Sequence, residues 1–161
     1  MRKTNDGTHA QNLAQRAFTR LETTTKFSWL RLYDSKSAGI GGGGNFIPEQ
    51  YADYAVIHQG HSALVEVKSS VTYRSLGECP VRSYFKDIQI LGAWMWKRAG
   101  GGAYCFFYSE VSDVVELWNM QPIIDAYRAE ARHRKIVGRP LMVCPPQELE
   151  IANILQIHLK G

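Results

Sequence analysis

From residue 8 onward the chain switches between two hydrophobic rhythms. Ala10, Leu13, Ala14, Ala17, Phe18 and Leu21 recur at steps of three and four, which predicts a helix from about Thr8 or His9 to Thr23. Thr8 is placed to cap it, with Gln11 three residues on completing a capping-box pattern. The period then drops to two. "FSWLRLY", Phe27 to Tyr33, predicts a strand, and two more follow at about Gln50 to Ile57 and Ala63 to Lys68, around a turn at Gln59-Gly60. After a loop through "GECP" a helix is expected from about Ser83 to Arg98, with Phe85, Ile88, Leu91, Trp94 and Met95 on its apolar face and Gly100 to Gly102 ending it. "AYCFFYSE" and "DVVELWN" predict two further strands, and "QPIIDAYRAEARHRK" a helix with Pro122 near its start. "LMVCPPQELEIANILQIHLKG" fits either a strand or a short helix. The order αβββαββα predicts an α/β fold with a mixed central sheet flanked by helices.

Against this pattern, the charges inside the second and third strands stand out. A turn centred on Gln59-Gly60 sets Asp53 opposite Glu66 and Tyr51 opposite Lys68, so all three charges share one face of the hairpin. The other face, Ala52, Tyr54, Val56, Ala63, Val65 and Val67, is wholly apolar and can pack on a helix. Two carboxylates opposed at cross-strand distance repel unless a cation sits between them. Lys68 offers one positive charge; a divalent ion neutralises the pair better, and Mg²⁺ prefers hard oxygen ligands such as Asp53, Glu66 and the backbone carbonyl of Val67. Such an ion polarises a phosphodiester and activates water, while Lys68 orients that water or neutralises charge on the phosphate. The plainer reading is an ion-pair ladder on an exposed hairpin, and an isolated ExK would carry no more than that.

Composition narrows the classes. The 161 residues suit one domain, 1–161, and 45% hydrophobic content excludes a disordered chain. No apolar run is long enough to span a bilayer, and "MRKTNDGTHAQ" lacks the apolar segment of a secretory signal, so the expectation is a cytoplasmic protein without a membrane partner. Cys79, Cys105 and Cys144 are odd in number and share no close spacing, which argues against a disulfide framework; His58, His61 and Cys79 lack zinc-site spacing. The net charge of +4 mildly favours a polyanionic partner. "YRAEARHRKIVGR" sets Arg128, Arg132, Arg134, Lys135 and Arg139 against the single acid Glu130, as a solvated helix face or a phosphate-binding one. The segment at about 35–49 holds four consecutive glycines, Gly41 to Gly44, and reads as a mobile or functional loop. It lacks the GK[ST] of a phosphate-cradling loop, so no nucleotide cofactor is expected.

The D…ExK hairpin, following a helix and a strand, resembles the PD-(D/E)XK nuclease superfamily, with Tyr51-Ala52-Asp53 where the family has Pro-Asp. Within it the chain is most similar to Holliday junction resolvases of the RecU type and their phage and archaeal Hjc-like relatives. "YADYAVI…ALVEVKSS" is similar to their metal-binding core, "YFKDIQILGAW" to the following helix with Gln89 as its glutamine, "GGGAYCFFYSE" to the next strand, and "NDGTHAQNLAQRAF" to the opening helix. The resemblance implies a restriction-endonuclease-like core and a Mg²⁺-dependent endodeoxyribonuclease, Mn²⁺ substituting, that works as a homodimer in a bacterial or phage-infected cell and resolves four-way DNA junctions by paired symmetric nicks. It implies Lys68, Asp53, Glu66 and Gln89 as catalytic residues. The metal set would be Asp53, Glu66, Val67 and Gln11; the family's first-helix glutamate position falls on Gln11, with Gln15 and Glu22 further along. Contacts to DNA are expected from Lys36 and the Gly-rich loop around Phe46, from Arg16 and Ser70, and from Arg132, Arg134 and Lys135. The same site would also serve a nuclease of duplex or flapped DNA in restriction, repair or replication, and the fold alone would serve a non-catalytic DNA-binding module.

Overall fold

The computed structural model describes residues 7–24, 26–32, 50–129 and 135–149. The Gly-rich segment with Lys36 and Phe46, the arginines at 132 and 134, and the end of the last ambiguous stretch lie outside these described residues.

Helix α1 (Thr8–Thr24) starts one residue earlier in register than a cap at Thr8 requires. Gly7, at φ +73°, precedes it and its carbonyl accepts the first helical bond from the Gln11 N–H at 3.1 Å, so Gly7 rather than Thr8 stands at the cap position. The buried stripe Ala10, Leu13, Ala14, Ala17, Phe18 and Leu21 is the one the sequence marks. Strands β1 (Phe27–Arg31), β2 (Tyr54–His58) and β3 (His61–Ser70) form an antiparallel meander. Gln59 (φ 50°) and Gly60 (φ 85°) both adopt the left-handed conformation of the tight hairpin turn whose twist matches its strands.

After β3 the chain crosses over through a short 3₁₀ turn (Leu76–Glu78) and two helices, α2 (Val81–Tyr84) and α3 (Asp87–Arg98). The single helix expected from Ser83 is broken at Phe85-Lys86, both extended, because the Lys86 N–H bonds the side-chain oxygen of Gln89 at 3.0 Å instead of continuing a helix. The restart changes which face is buried. Ile90 and Ala93 lie against the sheet, whereas Leu91 and Met95 are half-exposed. Strand β4 (Gly102–Ser109) then pairs parallel with β3, and β5 (Val114–Asn119), helix α4 (Met120–Arg128) and strand β6 (Met142–Cys144) complete the fold. The last stretch thus supplies both a short strand and a 3₁₀ turn at Pro146–Glu148.

Among the described residues the result is a six-stranded mixed sheet in the order β1-β2-β3-β4-β5-β6, with β3–β4 the one parallel pair. Helix α1 covers one face through Phe18, Tyr54, Val56, Val65 and Phe106. Helices α2, α3 and α4 cover the other through Ile90, Phe107, Trp118 and Ile123. No helix among the described residues is long and apolar enough to cross a membrane.

Candidate metal and phosphodiester site

The hairpin register is Tyr54↔Val65 through His58↔His61, and extended by one step it sets Asp53 across from Glu66. Asp53 is held twice at the entrance to β2. Its carbonyl accepts from the Leu32 N–H at 2.8 Å, and its Oδ2 accepts from the Val67 N–H at 2.7 Å. Val67 turns its side chain into the α1-side core, so β3 delivers Glu66 and Lys68 together to the α3 side.

Glu66 is buried, and its two oxygens differ in their surroundings. Oε1 accepts from the Lys68 ammonium at 2.7 Å and from the Gln89 side-chain amide. Oε2 is buried with no hydrogen-bond partner. Burial, reinforced by the charge of Asp53 and opposed by that of Lys68, pushes the Glu66 carboxyl from 4.5 up to about 7. Gln89 is the hinge of the arrangement: its amide N–H₂ donates to Glu66, and its oxygen accepts from Lys68 at 3.3 Å and from the Lys86 N–H. Phe85 closes the site from the side, with the Lys68 ammonium 5.3 Å from its ring centre.

A divalent cation fits this donor set. The buried orphan oxygen of Glu66 and the repulsion from Asp53 are two costs that one hard cation removes together. Among the described residues no three His, Cys, Asp or Glu side chains cluster, so backbone carbonyls, solvent and substrate oxygens would complete the shell.

Several expected residues lie elsewhere. Gln11 is not brought to the carboxylates. It sits on α1, on the opposite face of the sheet, where its oxygen accepts from Arg31 at 2.9 Å; Arg31 faces Tyr54, and Tyr54 faces away from Glu66. Gln15, one turn on, donates to the Tyr54 hydroxyl at 3.0 Å, and Glu22 is exposed near the far end of the helix. Ser70 is buried rather than available to DNA: its Oγ accepts from the N–H groups of Thr72 and Tyr73 and from the Tyr84 hydroxyl, pinning the start of the crossover. Arg16 is exposed on the outer side of α1, away from the carboxylates. Lys135 is exposed next to Ile136, which is buried in the α4-side core.

Sequence reasoning missed Phe85 and Lys86, which hold Lys68 and Gln89. Their signal was there, since the pentad "FKDIQ" puts an aromatic and a cap position three residues ahead of Gln89 at the start of the helix that carries it. It also missed a second buried acid. Glu116 on β5 gathers the Ser75 hydroxyl, the Leu76 N–H and the Trp118 indole on its Oε2 at 3.1, 3.0 and 2.7 Å. That carboxylate is a staple for the 3₁₀ turn.

No family model matches the chain, and no curated protein matches it. In fold the chain is similar to a solved structure of Hjc, a Holliday junction resolvase from the archaeal hyperthermophile Archaeoglobus fulgidus. The TM-score is 0.47 with 16% sequence identity, over 89% of this chain and 98% of that one.

Proposed function

We propose that this chain is a divalent-metal-dependent endodeoxyribonuclease of the PD-(D/E)XK type, acting on four-way DNA junctions as a homodimer. The observation that carries the reading is the buried, unpartnered Oε2 of Glu66 beside Asp53, with the Lys68 ammonium fixed on the other oxygen. A structural acid would be satisfied, as Glu116 is; this one is left short of a cation.

Asp53, Glu66 and the Val67 carbonyl would hold the ion, Mg²⁺ with Mn²⁺ able to replace it. When bound, the ion supplies Lewis-acid polarisation of the phosphodiester and a more acidic water. The protein's own groups do the rest. Val67 N–H and Leu32 N–H fix Asp53, so its carboxylate does not reorganise when substrate arrives. Gln89 ties Lys68 and Glu66 together by bonding both. The Lys68 ammonium lies where it can neutralise charge growing on the phosphate oxygens. Two such sites related by a two-fold axis match the two-fold symmetry of a four-way junction.

The test is incubation of the protein with labelled four-way junctions, linear duplex and single strands, with and without Mg²⁺. Paired symmetric nicks in the junction are expected, dependent on the ion. Asp53→Asn should lose at least a hundredfold in cutting while still binding the junction. Normal cutting by that variant would remove the site assignment, and dominant cutting of linear duplex would replace the resolvase reading with a duplex nuclease.

A further inference from the structure

The outer surface of the α2–α4 layer carries three exposed arginines, none of which has an ion pair to a carboxylate among the described residues. Each is instead spread over an aromatic ring. The Arg82 guanidinium lies 5.3 Å from the Tyr127 ring centre and donates to the Tyr127 carbonyl at 3.1 Å. Those of Arg98 and Arg128 lie 4.7 and 4.9 Å from the centre of Trp94. The acids of this face are already engaged, Asp87 by the Tyr127 hydroxyl and Asp125 by the Gln121 amide at 2.9 Å.

The groups form a line that starts beside the site. Asp87, which touches Tyr127, is two residues from Gln89, so Arg82 and Tyr127 stand at the site end of α3. Helix α4 runs antiparallel to α3, since Lys97 near the end of α3 donates to Asn119 at the start of α4 at 3.2 Å. Arg98 is nine residues beyond Gln89, roughly 14 Å along the helix at about 1.5 Å per residue. On one strand of a duplex that length covers about four phosphates at about 3.4 Å of axis each.

A guanidinium held over an aromatic ring keeps N–H groups available for a phosphate and loses little further freedom when it grips one. Were these arginines needed only to fasten α3 to α4, apolar contacts would serve, and three like charges on one face would be a net cost. A polyanionic backbone turns that cost into binding energy. We propose that Arg82, Arg98 and Arg128, stacked on Tyr127 and Trp94, form a phosphate track that carries a DNA arm away from the cutting site without reading its bases. The track rests on the nuclease reading above and adds residues to it that the basic stretch after Arg128 does not contain. Exposed Lys135, whose neighbour Ile136 is buried with α4, flanks the same layer.

The experiment is fluorescence anisotropy of a labelled four-way junction in EDTA, titrated with full-length protein between 50 and 250 mM KCl. Wild type should show a steep logarithmic salt dependence. The triple variant Arg82→Gln, Arg98→Gln, Arg128→Gln should lose about 2–3 from that slope, at about 0.9 per contact, and bind at least tenfold more weakly at 100 mM salt. An unchanged slope overturns the track, because three lost phosphate contacts must release fewer counterions. Should the triple variant fail to fold by circular dichroism, phenylglyoxal footprinting of the wild type decides: junction DNA should shield all three arginines, and equal modification with and without DNA overturns the proposal. A wild type that binds and cuts junctions while the variant keeps its slope removes the track alone. A wild type that binds no junction removes both readings.

Discussion

Two buried glutamates differ in how their oxygens are satisfied. Glu116 receives three donors and stays where folding put it. Glu66 receives two on one oxygen and none on the other, and its carboxyl is raised to about 7. The sign of the consequence follows from proton counting. Between 4.5 and about 7 the folded chain binds more protons at Glu66 than the unfolded chain does, so without metal this group lowers stability as pH rises through that window and levels off above it. Moving a carboxyl from 4.5 to about 7 corresponds to at most about 3 kcal/mol. Glu66→Gln removes that term and keeps an oxygen for Lys68, so urea unfolding in EDTA at pH 8 should show a gain of about 1–3 kcal/mol, shrinking to nothing near pH 4. Mg²⁺ should stabilise the wild type at pH 8 and not this variant. A variant less stable than wild type at pH 8 would mean that Glu66 is as satisfied as Glu116.

Among the elements, α3 shows best what packing decides beyond sequence. Its Gly92 faces Tyr51 so closely that an added methyl would collide with the Tyr51 Cβ, and Tyr51 is two residues before Asp53. Gly92→Ala gains roughly 1 kcal/mol of helix propensity but forces Tyr51 off, at a typical overpacking cost of about 1–3 kcal/mol. The expected outcome is a net loss of about 1–2 kcal/mol with weaker Mg²⁺ binding by calorimetry; a stabilised protein with full affinity would uncouple α3 from the Asp53 segment. The hairpin was legible because strand alternation and the Gln59-Gly60 turn depend only on neighbours, and its register came out as read. The rotation of α3 was not, because Leu91 and Met95 fit an apolar stripe as well as Ile90 and Ala93 do. Only the anchoring of Gln89 on Glu66 and Lys86 selects between them. The partner of Gln11 was not legible either: the resemblance supplies a position on the first helix, whereas its bond to Arg31 depends on which side of the sheet that helix covers.

At the scale of the whole molecule, the two helical layers are unequal. Helix α1 backs β1 and β2 on one side, while on the other Leu30 and Ile57 are 64% and 52% exposed, and Tyr51, Leu91 and Met95 are exposed as well. A sheet face left half-covered, with an apolar helix flank exposed, suits the second copy that the proposed homodimer requires. Sedimentation should therefore give a dimer. Leu30→Asp with Ile57→Asp should give a folded monomer that nicks one junction strand at a time; a double variant that stays dimeric would place the interface elsewhere.

Helix α3 is a rod with a working end and an outward stripe. Gln89 at its start steadies the acid and the ammonium, while Leu91, Met95 and Arg98 follow one another along the side that meets solvent. Because a rod turns as a unit, whatever leans on that stripe also tilts Gln89. On the proposed reading, self-recognition, grip and chemistry would be geared to one another through twelve residues.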